Sequence, residues 1–452
     1  MSNIHTGKKK IEIDITDAQL TGSGGLHFVS AMAHRLGLPS LLAEAIRVKQ
    51  RKRGCSDTET LLGIIYSLAT GNGSLRDLES FRRDTPTLSI AGLERAPASR
   101  RAGEYLARCT PADLEALLQI VRTVSAPLYA DVCAREIADR GYVPVFIDGS
   151  EIEVTGRYYE QAHRGYSGRQ QYWLHGVFVG GLWASQRLCA GGGDVTADWK
   201  AQLDADVRPI LSQLRMRPSG NNAEDGTPPL HDQQVPVWVS TDNAYYRKEC
   251  AEYFHAQGWE YSISVTSGTY KRPILRQAAR KDASAWHKIT RTEEALLVTH
   301  QPADWSRPHQ YVVMRTEWDG TQRLLFPRHT VICVSRGDLP LAELVRRHRH
   351  KMGMENEFKG PLDALDLHHP PCLSFIANQV FYACGQLAHL LLRAVQFRLL
   401  PAADHRRTIR TVIHDLIRTV ARLVHTGRKV RLLFARTTWR LDWIHHAACQ
   451  LE

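Results

Sequence analysis

The chain of 452 residues contains no C-x-x-C pair, no apolar run long enough to cross a bilayer and no convincing internal repeat. Its nine cysteines are scattered and odd in number. That usage excludes a zinc ribbon or a disulfide scaffold and points to reduced thiols in a cytosol. The opening MSNIHTGKKKIEIDI is basic but has no apolar segment behind it, so no secretory signal is expected and a cytoplasmic protein is. Acidic residues are in relative shortage: 47 Asp and Glu face 58 Lys and Arg, for a net charge of +11 and a pI near 9.2. This balance favours a polyanionic partner, most simply nucleic acid. Hydrophobic and charged contents of 43% and 23% are those of an ordinary globular chain. Its length implies roughly two to four structural units.

Periodicity divides the chain. Residues 1–25 read as a polar arm. From 26 to 140 the pattern is helical, with Leu41, Leu42, Leu61, Leu62, Ile65 and Leu68 at helical spacing. Thr110-Pro111-Ala112-Asp113 is a helix start: a Thr cap, Pro in the first position and an acid in the first turn. The Arg-bearing turns between these helices fit either a helix-turn-helix-like DNA reader or a solvated bundle. From 142 the period changes. VPVFI is a strand, and Ile152 and Val154 alternate with Glu151 and Glu153. YWLHGVFVGGLW and RLCAGGG read as two further strands, 197–215 as a helix, VPVWVSTD as a strand, AYYRKECAEYFHAQ as a helix and EYSISVT as a strand. Strands and helices in this alternation make an α/β core. Residues 267–337 break the rhythm with ALLVTH, QYVVMRTEW and HTVICVS, a β-rich insertion. Helices are expected over 338–359, 371–400 and 405–425. Between 381 and 452, twelve Lys and Arg stand against four Asp and Glu, so the 401–452 region is read as basic and helical.

Three acids occupy notable settings. Asp148 ends VPVFID, Asp242 ends VPVWVSTD, and Glu355 lies in RRHRHKMGMENEFKG. A carboxylate at a strand end is exposed yet rigidly held, and several that converge can bind two divalent metals, the equipment of phosphodiester chemistry. Singly, an Asp after a strand is more often a turn or cap residue. At about 100° per residue, Leu341, Val345, His348, Met352, Glu355 and Lys359 share one stripe of the 338–359 helix. Arg346, His350, Met354 and Glu357 fall on or near the opposite face. Glu355 on the inward stripe needs a cation. A metal would serve, and so would a salt bridge to Lys351 or Lys359 one turn away.

With FIDGSEIEVTG, HRGYSGRQQYWLHG, VSTDNAYYRKECAEYFHAQGWEYSISV, HRHKMGMENEFKG, FIANQVFYACGQLAHLLL and ARLVHTGRKVRLLF in this order, the chain resembles the DDE transposases of bacterial insertion sequences. Within them it is most similar to the Tyr-Arg-Glu-Lys branch and its IS thirteen-eighty family, and more distantly similar to piggyBac. The likeness runs from about Gly25 to about Trp443. It implies an RNase H-like catalytic core, at 141–266 and 338–400, interrupted by the β-rich insertion at 267–337 and flanked by helical regions at 26–140 and 401–452. It implies Asp148, Asp242 and Glu355 as catalytic ligands of two Mg²⁺ or Mn²⁺ ions. The signature Tyr and Arg positions hold His348 and Lys351 here, and Lys359 follows Glu355 by four residues. Lys lacks the bidentate fork of Arg.

The resulting expectation is a cut-and-paste transposase acting on element ends and target DNA, as a homodimer on double-stranded DNA. His348, Lys351 and Lys359 would position the strand, and the basic cluster Arg428, Lys429 and Arg431 would contact phosphates. The 26–140 region would serve DNA binding or dimerisation. Trp286, Trp305 and Trp318 either stack on a displaced base or pack the insertion's own core. Two other classes share the same acids: a metal-dependent nuclease without strand transfer, and a transposase-derived DNA-binding protein that no longer cuts.

Overall fold

A computed structural model describes residues 4–6, 9–11, 19–51, 53–165, 168–194, 196, 198–214, 235–318, 322–427 and 429–452. The side chains of 4–6, 9–11, 323 and 352–359 lie outside the description. The architecture is mixed α/β: one large mixed sheet, helices against it, and a helical N-terminal region that shares its core.

The N-terminal helices start where local chemistry dictates. Ser56 and Glu59 form a reciprocal capping box on Asp57–Ala69. Thr110 and Asp113 do the same for the long helix α1 (Pro111–Arg140), with Pro111 in its first turn. Gly141, at φ 79°, ends α1 in the left-handed conformation that glycine adopts without strain. The chain then enters the sheet.

The sheet begins with β1 (Val143–Glu153), β2 (His163–Arg164), β3 (Gln170–Val179) and β4 (Leu182–Cys189). After helical turns over residues 199–213 come β5 (Val237–Thr241), helix α2 (Lys248–Ala256) and β6 (Glu260–Val265). The β3–β4 turn is Gly180-Gly181, both at positive φ. This two-residue turn divides what periodicity read as one strand, YWLHGVFVGGLW. The central order is β4-β3-β1-β5-β6. β4, β3 and β1 pair antiparallel, while β1, β5 and β6 run parallel.

The β-rich stretch over 267–337, read above as an insertion, continues this sheet. It opens with a helix that periodicity did not foresee, α3 (Gly268–Ala279). It then adds β7 (His287–Lys288), β8 (Glu293–His300), β9 (His309–Trp318) and β10 (Arg323–Val334). β10 pairs antiparallel with β6, so the insertion lengthens the sheet in the order β6-β10-β9-β8-β7. Its backbone hydrogen bonds therefore pass directly into the core.

Helix α4 (Leu341–Ala364) crosses back over β1, β5 and β6. Contrary to the expectation that no apolar run reaches a membrane span, helix α5 (Phe375–Leu399) is long and apolar enough to cross one, its two arginines notwithstanding, but it is buried among the N-terminal helices and β4. The helix expected over 405–425 is only partly present. Helical turns span 409–417, and then β11 (Ala421–Thr426) and β12 (Lys429–Phe434) form a hairpin around Gly427, at φ 56°. The reason is visible at the start of β11, where exposed Arg422 lies between buried Ala421 and Leu423, the alternation of a strand. β11 also pairs with Leu20–Thr21, which ties the end of the N-terminal arm into this small sheet.

Candidate active site

β1 and β5 are adjacent and parallel, with Ile147 in register with Thr241. Asp148 and Asp242 are the next residue on each strand, so their backbones lie roughly 5 Å apart. Asp148 is not at a strand end, because β1 continues to Glu153; it sits where β1 loses β5 as a neighbour. Asp242 keeps an extended backbone and then caps the 3₁₀ turn Asn243–Tyr245, its Oδ1 accepting from the Ala244 N–H at 2.9 Å. The Asp148 Oδ1 accepts from the Gly149 N–H at 2.9 Å. Both carboxylates are half-buried.

Side-chain alternation assigns both acids to one face. Phe146, two residues before Asp148, packs edge-on against His350 of α4, with ring centroids 5.6 Å apart. Trp238, four residues before Asp242, lies 4.8 Å from the Arg347 guanidinium of α4. Residues two and four apart on a strand share a face, so Asp148 and Asp242 belong to the face that α4 covers. Glu355 is in the α4 backbone; its side chain, with those of Glu357 and Lys359, lies outside the description. Among the described residues, no group of three or more His, Cys, Asp or Glu converges as a metal cluster. Two of the three expected acids are thus placed side by side.

Helix α4 buries a wider arc than one stripe. Leu344 and Val345 are buried, and Arg347 sits over both Tyr142, at 4.4 Å, and Trp238. His348 was expected on DNA. Its ring instead faces β6, with Nε2 3.1 Å from the Ser264 Oγ. Burial, reinforced by Lys351 and Arg349, pushes its pKa down to about 3. His350, expected on the outer face, lies against Phe146, and burial holds its pKa at about 4. The twisted sheet and the insertion reach both flanks of the helix, which is why a single stripe underestimated its contacts. Arg140, Arg346, Arg349 and His350 border a cleft of about 410 Å³ with Ile289, Ala342 and Val345, so this side of α4 is strongly basic.

The other face of the sheet holds a polar chain that sequence reasoning missed. His175 of β3 is in register with Gly149. Its Nε2 meets the Tyr245 hydroxyl and its Nδ1 the Gln202 Oε1. Gln202 Nε2 donates to the Ser185 Oγ at 2.9 Å, and Ser185 donates to Asp206. Asp206 is 4% exposed and paired with Arg122 at 2.7 Å and Arg187 at 3.0 Å. Burial keeps His175 neutral, with a pKa of about 4. The only available signal was a histidine inside the apolar run YWLHGVFV.

Of the three tryptophans, Trp305 packs on Tyr246, at 5.1 Å, and on His309, at 4.7 Å. Trp286 lies under Arg315, at 4.2 Å, and Trp318 is 46% exposed. Lys429 and Arg431 are exposed on β12, while Arg428 lies outside the described residues. Cross-strand register puts Arg422, Val424, Thr426, Lys429, Arg431 and Leu433 on one face of the hairpin. Among the described residues, no acid pairs with Arg422, Lys429 or Arg431.

A mixed α/β sheet that sets two aspartates side by side at neighbouring strands, under a basic helix carrying a third acid, is a frame suited to nucleic-acid chemistry. The comparison with protein families agrees. Residues 4–452 match the family described as Transposase DDE domain group 1, and the chain belongs to that family of transposases. No curated protein matches it.

Proposed function

We propose that this transposase cuts DNA at element ends and joins the cut end to target DNA, using Asp148, Asp242 and Glu355 as ligands of two Mg²⁺ or Mn²⁺ ions. The observation that carries the proposal is the Ile147–Thr241 register, which sets Asp148 beside Asp242. Carboxylate oxygens are hard donors that suit these ions. The chemistry such ions supply is activation of water, and then of a DNA 3′-hydroxyl, for in-line attack at phosphorus.

Helical geometry supports Glu355 as the third ligand. Arg347 lies at Tyr142 and His350 at Phe146, so α4 runs in the direction of β1. Position 355 is five residues beyond His350, about 7.5 Å along the axis. Asp148 is two residues beyond Phe146, about 6.7 Å along its strand. Position 355 is therefore level with Asp148, and it lies two turns after His348 on the sheet-facing side. The order β4-β3-β1-β5-β6, three antiparallel strands followed by two parallel ones, supports an RNase H-like core at 141–266 and 338–400, with 267–337 as an insertion.

The protein's own part is to hold and orient DNA. Lys351 and Lys359 are assigned to the strand entering the site, and the exposed face of the hairpin, Arg422, Lys429 and Arg431, to phosphates away from it. His348 is not retained as a DNA contact and instead seats α4 on β6. Two element ends pair most simply by two-fold symmetry, so a dimer on DNA is part of the proposal, and the 26–140 region is assigned to DNA binding or dimerisation. The ordered blocks support the Tyr-Arg-Glu-Lys branch and the IS thirteen-eighty family, while His348 and Lys351 depart from the Tyr and Arg of that branch's signature.

The test is a reaction of the full chain with a donor plasmid carrying candidate element ends, target DNA and Mg²⁺ or Mn²⁺. Excised element and joined target products are expected. Nicked or linear DNA alone, across both metals and several targets, would replace the proposal with a nuclease that hydrolyses without strand transfer.

A further inference from the structure

The geometry points to Tyr245 as a positioning residue: through its hydrogen bond to His175 it fixes the turn carrying Asp242 against β3, and so sets the spacing of Asp242 from Asp148. This rests on the reading of the two aspartates as metal ligands.

Asp242 leaves β5 and enters a single 3₁₀ turn. A turn alone is a loose mount for a ligand, because it lacks the ladder of hydrogen bonds that holds Asp148 within β1. The two residues that end this turn anchor it in opposite directions. Tyr245, 1% exposed, reaches to His175, the register partner of Gly149, which is the residue directly after Asp148. Tyr246 turns toward the insertion, where its hydroxyl is 2.8 Å from that of Tyr311 and its ring packs on Trp305 and Tyr270. Asn243 adds a bond to Thr266 beyond β6. The Asp242 turn is thereby tied to the strand on the far side of β1 and to the strands beyond β6.

The Tyr245 bond has a direction, set from its far end. Asp206, as a carboxylate, only accepts, and it takes the Ser185 proton. Ser185 accepts from Gln202 Nε2, which leaves Gln202 Oε1 to accept from His175 Nδ1–H. The His175 Nε2 is then an acceptor, and Tyr245 must donate to it. Arg122 and Arg187 pair with Asp206 and fix its position. A phenol at position 245 is matched to this chain; a phenylalanine leaves the His175 Nε2 buried without a donor.

The test compares Tyr245→Phe with Ser185→Ala, Asp148→Asn/Asp242→Asn and the unaltered full chain. Direct Mn²⁺ binding is measured by electron paramagnetic resonance of the free ion without DNA, alongside urea unfolding. Removing an outer-shell partner typically weakens metal binding by ten-fold or more, so Tyr245→Phe should raise the Mn²⁺ dissociation constant roughly ten-fold. Ser185→Ala breaks the same chain further from the acids. It should lower stability while leaving Mn²⁺ binding within about two-fold of the unaltered chain, below the range expected of an outer-shell ligand partner. Unchanged Mn²⁺ binding in Tyr245→Phe, or an equal loss in Ser185→Ala, overturns the positioning role and leaves the aspartates as ligands. If the double asparagine variant binds Mn²⁺ as the unaltered chain does, the ligand reading fails and the positioning role falls with it.

Discussion

Arg347 is the residue on which the docking of α4 can be tested most sharply. Its guanidinium lies 4.4 Å from the Tyr142 ring centroid and 4.8 Å from that of Trp238, and it pairs with Glu343 at 2.6 Å and Glu260 at 3.3 Å. Its side chain is only 13% exposed. Arg347→Ala removes two shielded cation–π contacts, each contributing about 1 kcal/mol, together with the packing of the stem. Stranding a buried carboxylate would add about 3–5 kcal/mol. That penalty does not arise here, because Glu260 keeps Arg336 at 2.7 Å and Glu343 keeps Arg346 at 2.7 Å. The expected cost is therefore about 2–3 kcal/mol. Arg347→Lys keeps the charge but loses the planar stacking, and should cost about half as much.

Urea unfolding measures the cost, and amide hydrogen exchange shows where it falls. Leu344 and Val345 still bury their side chains, so α4 should loosen without the whole chain unfolding. Faster exchange should be confined to α4 and to the adjoining ends of β1 and β5. Because α4 carries Glu355, the Mn²⁺ concentration that half-saturates cleavage should also rise. Stability within about 0.5 kcal/mol of the unaltered chain, the range of an ordinary surface change, together with unchanged α4 exchange would refute this account of how the helix is held.

Asp148→Asn, Asp242→Asn and Glu355→Gln should each abolish cleavage with DNA affinity kept within a few-fold, while Glu357→Gln should be mild; an inactive Glu357→Gln beside an active Glu355→Gln would reverse the helix phase. EDTA should stop the reaction and Mg²⁺ or Mn²⁺ restore it; turnover in EDTA would exclude the metal mechanism. Replacing Arg422, Lys429 and Arg431 together by Gln should reduce the slope of log K against log salt by up to about 0.9 per lost phosphate contact, and an unchanged slope would make this face of the hairpin a solvated surface only. Acid should destabilise the fold: burial lowers the pKa of His175, His309 and His350 to about 4 and of His348 to about 3. These rings are neutral when folded, whereas the unfolded chain takes up protons below about 6.5, so stability present above that pH is lost as pH falls toward 4. A urea midpoint flat between pH 7 and 4.5 would contradict this.

What the sequence disclosed about this fold follows the range of the interactions involved. The start of α1 was legible because its capping box is contained within four residues, Thr110 to Asp113. The strands around the acids were legible because VPVFI and VPVWV are continuous apolar runs, as expected of strands buried on both faces. The C-terminal hairpin was missed, although Arg422 alternates with Ala421 and Leu423, because so short an alternation is masked by the helical patterns that flank it. The β3–β4 turn was passed over because Gly180-Gly181 sits inside an apolar run and the two strands it joins are both buried. In each case the missed signal was present but weaker than its surroundings.

The candidate site divides along the same line, with a different cause. Asp148 and Asp242 could be proposed one at a time, because each follows its own apolar strand. Their juxtaposition depends on the β1–β5 register, and no property of either segment encodes that register. The supports are still less legible: Tyr245, His175, Gln202, Ser185 and Asp206 come from four separate segments and meet only because β3 folds back beside β1. His348 illustrates the converse. It was assigned to DNA from its place at the signature Tyr position, although its stripe is the inward one, and β6 supplies Ser264 3.1 Å from its ring. A polar side chain becomes interpretable only when its partner is known. In this protein the partners are set by strand order, so the half-buried acids proposed for the chemistry are easier to name in advance than the buried groups proposed to hold them in place.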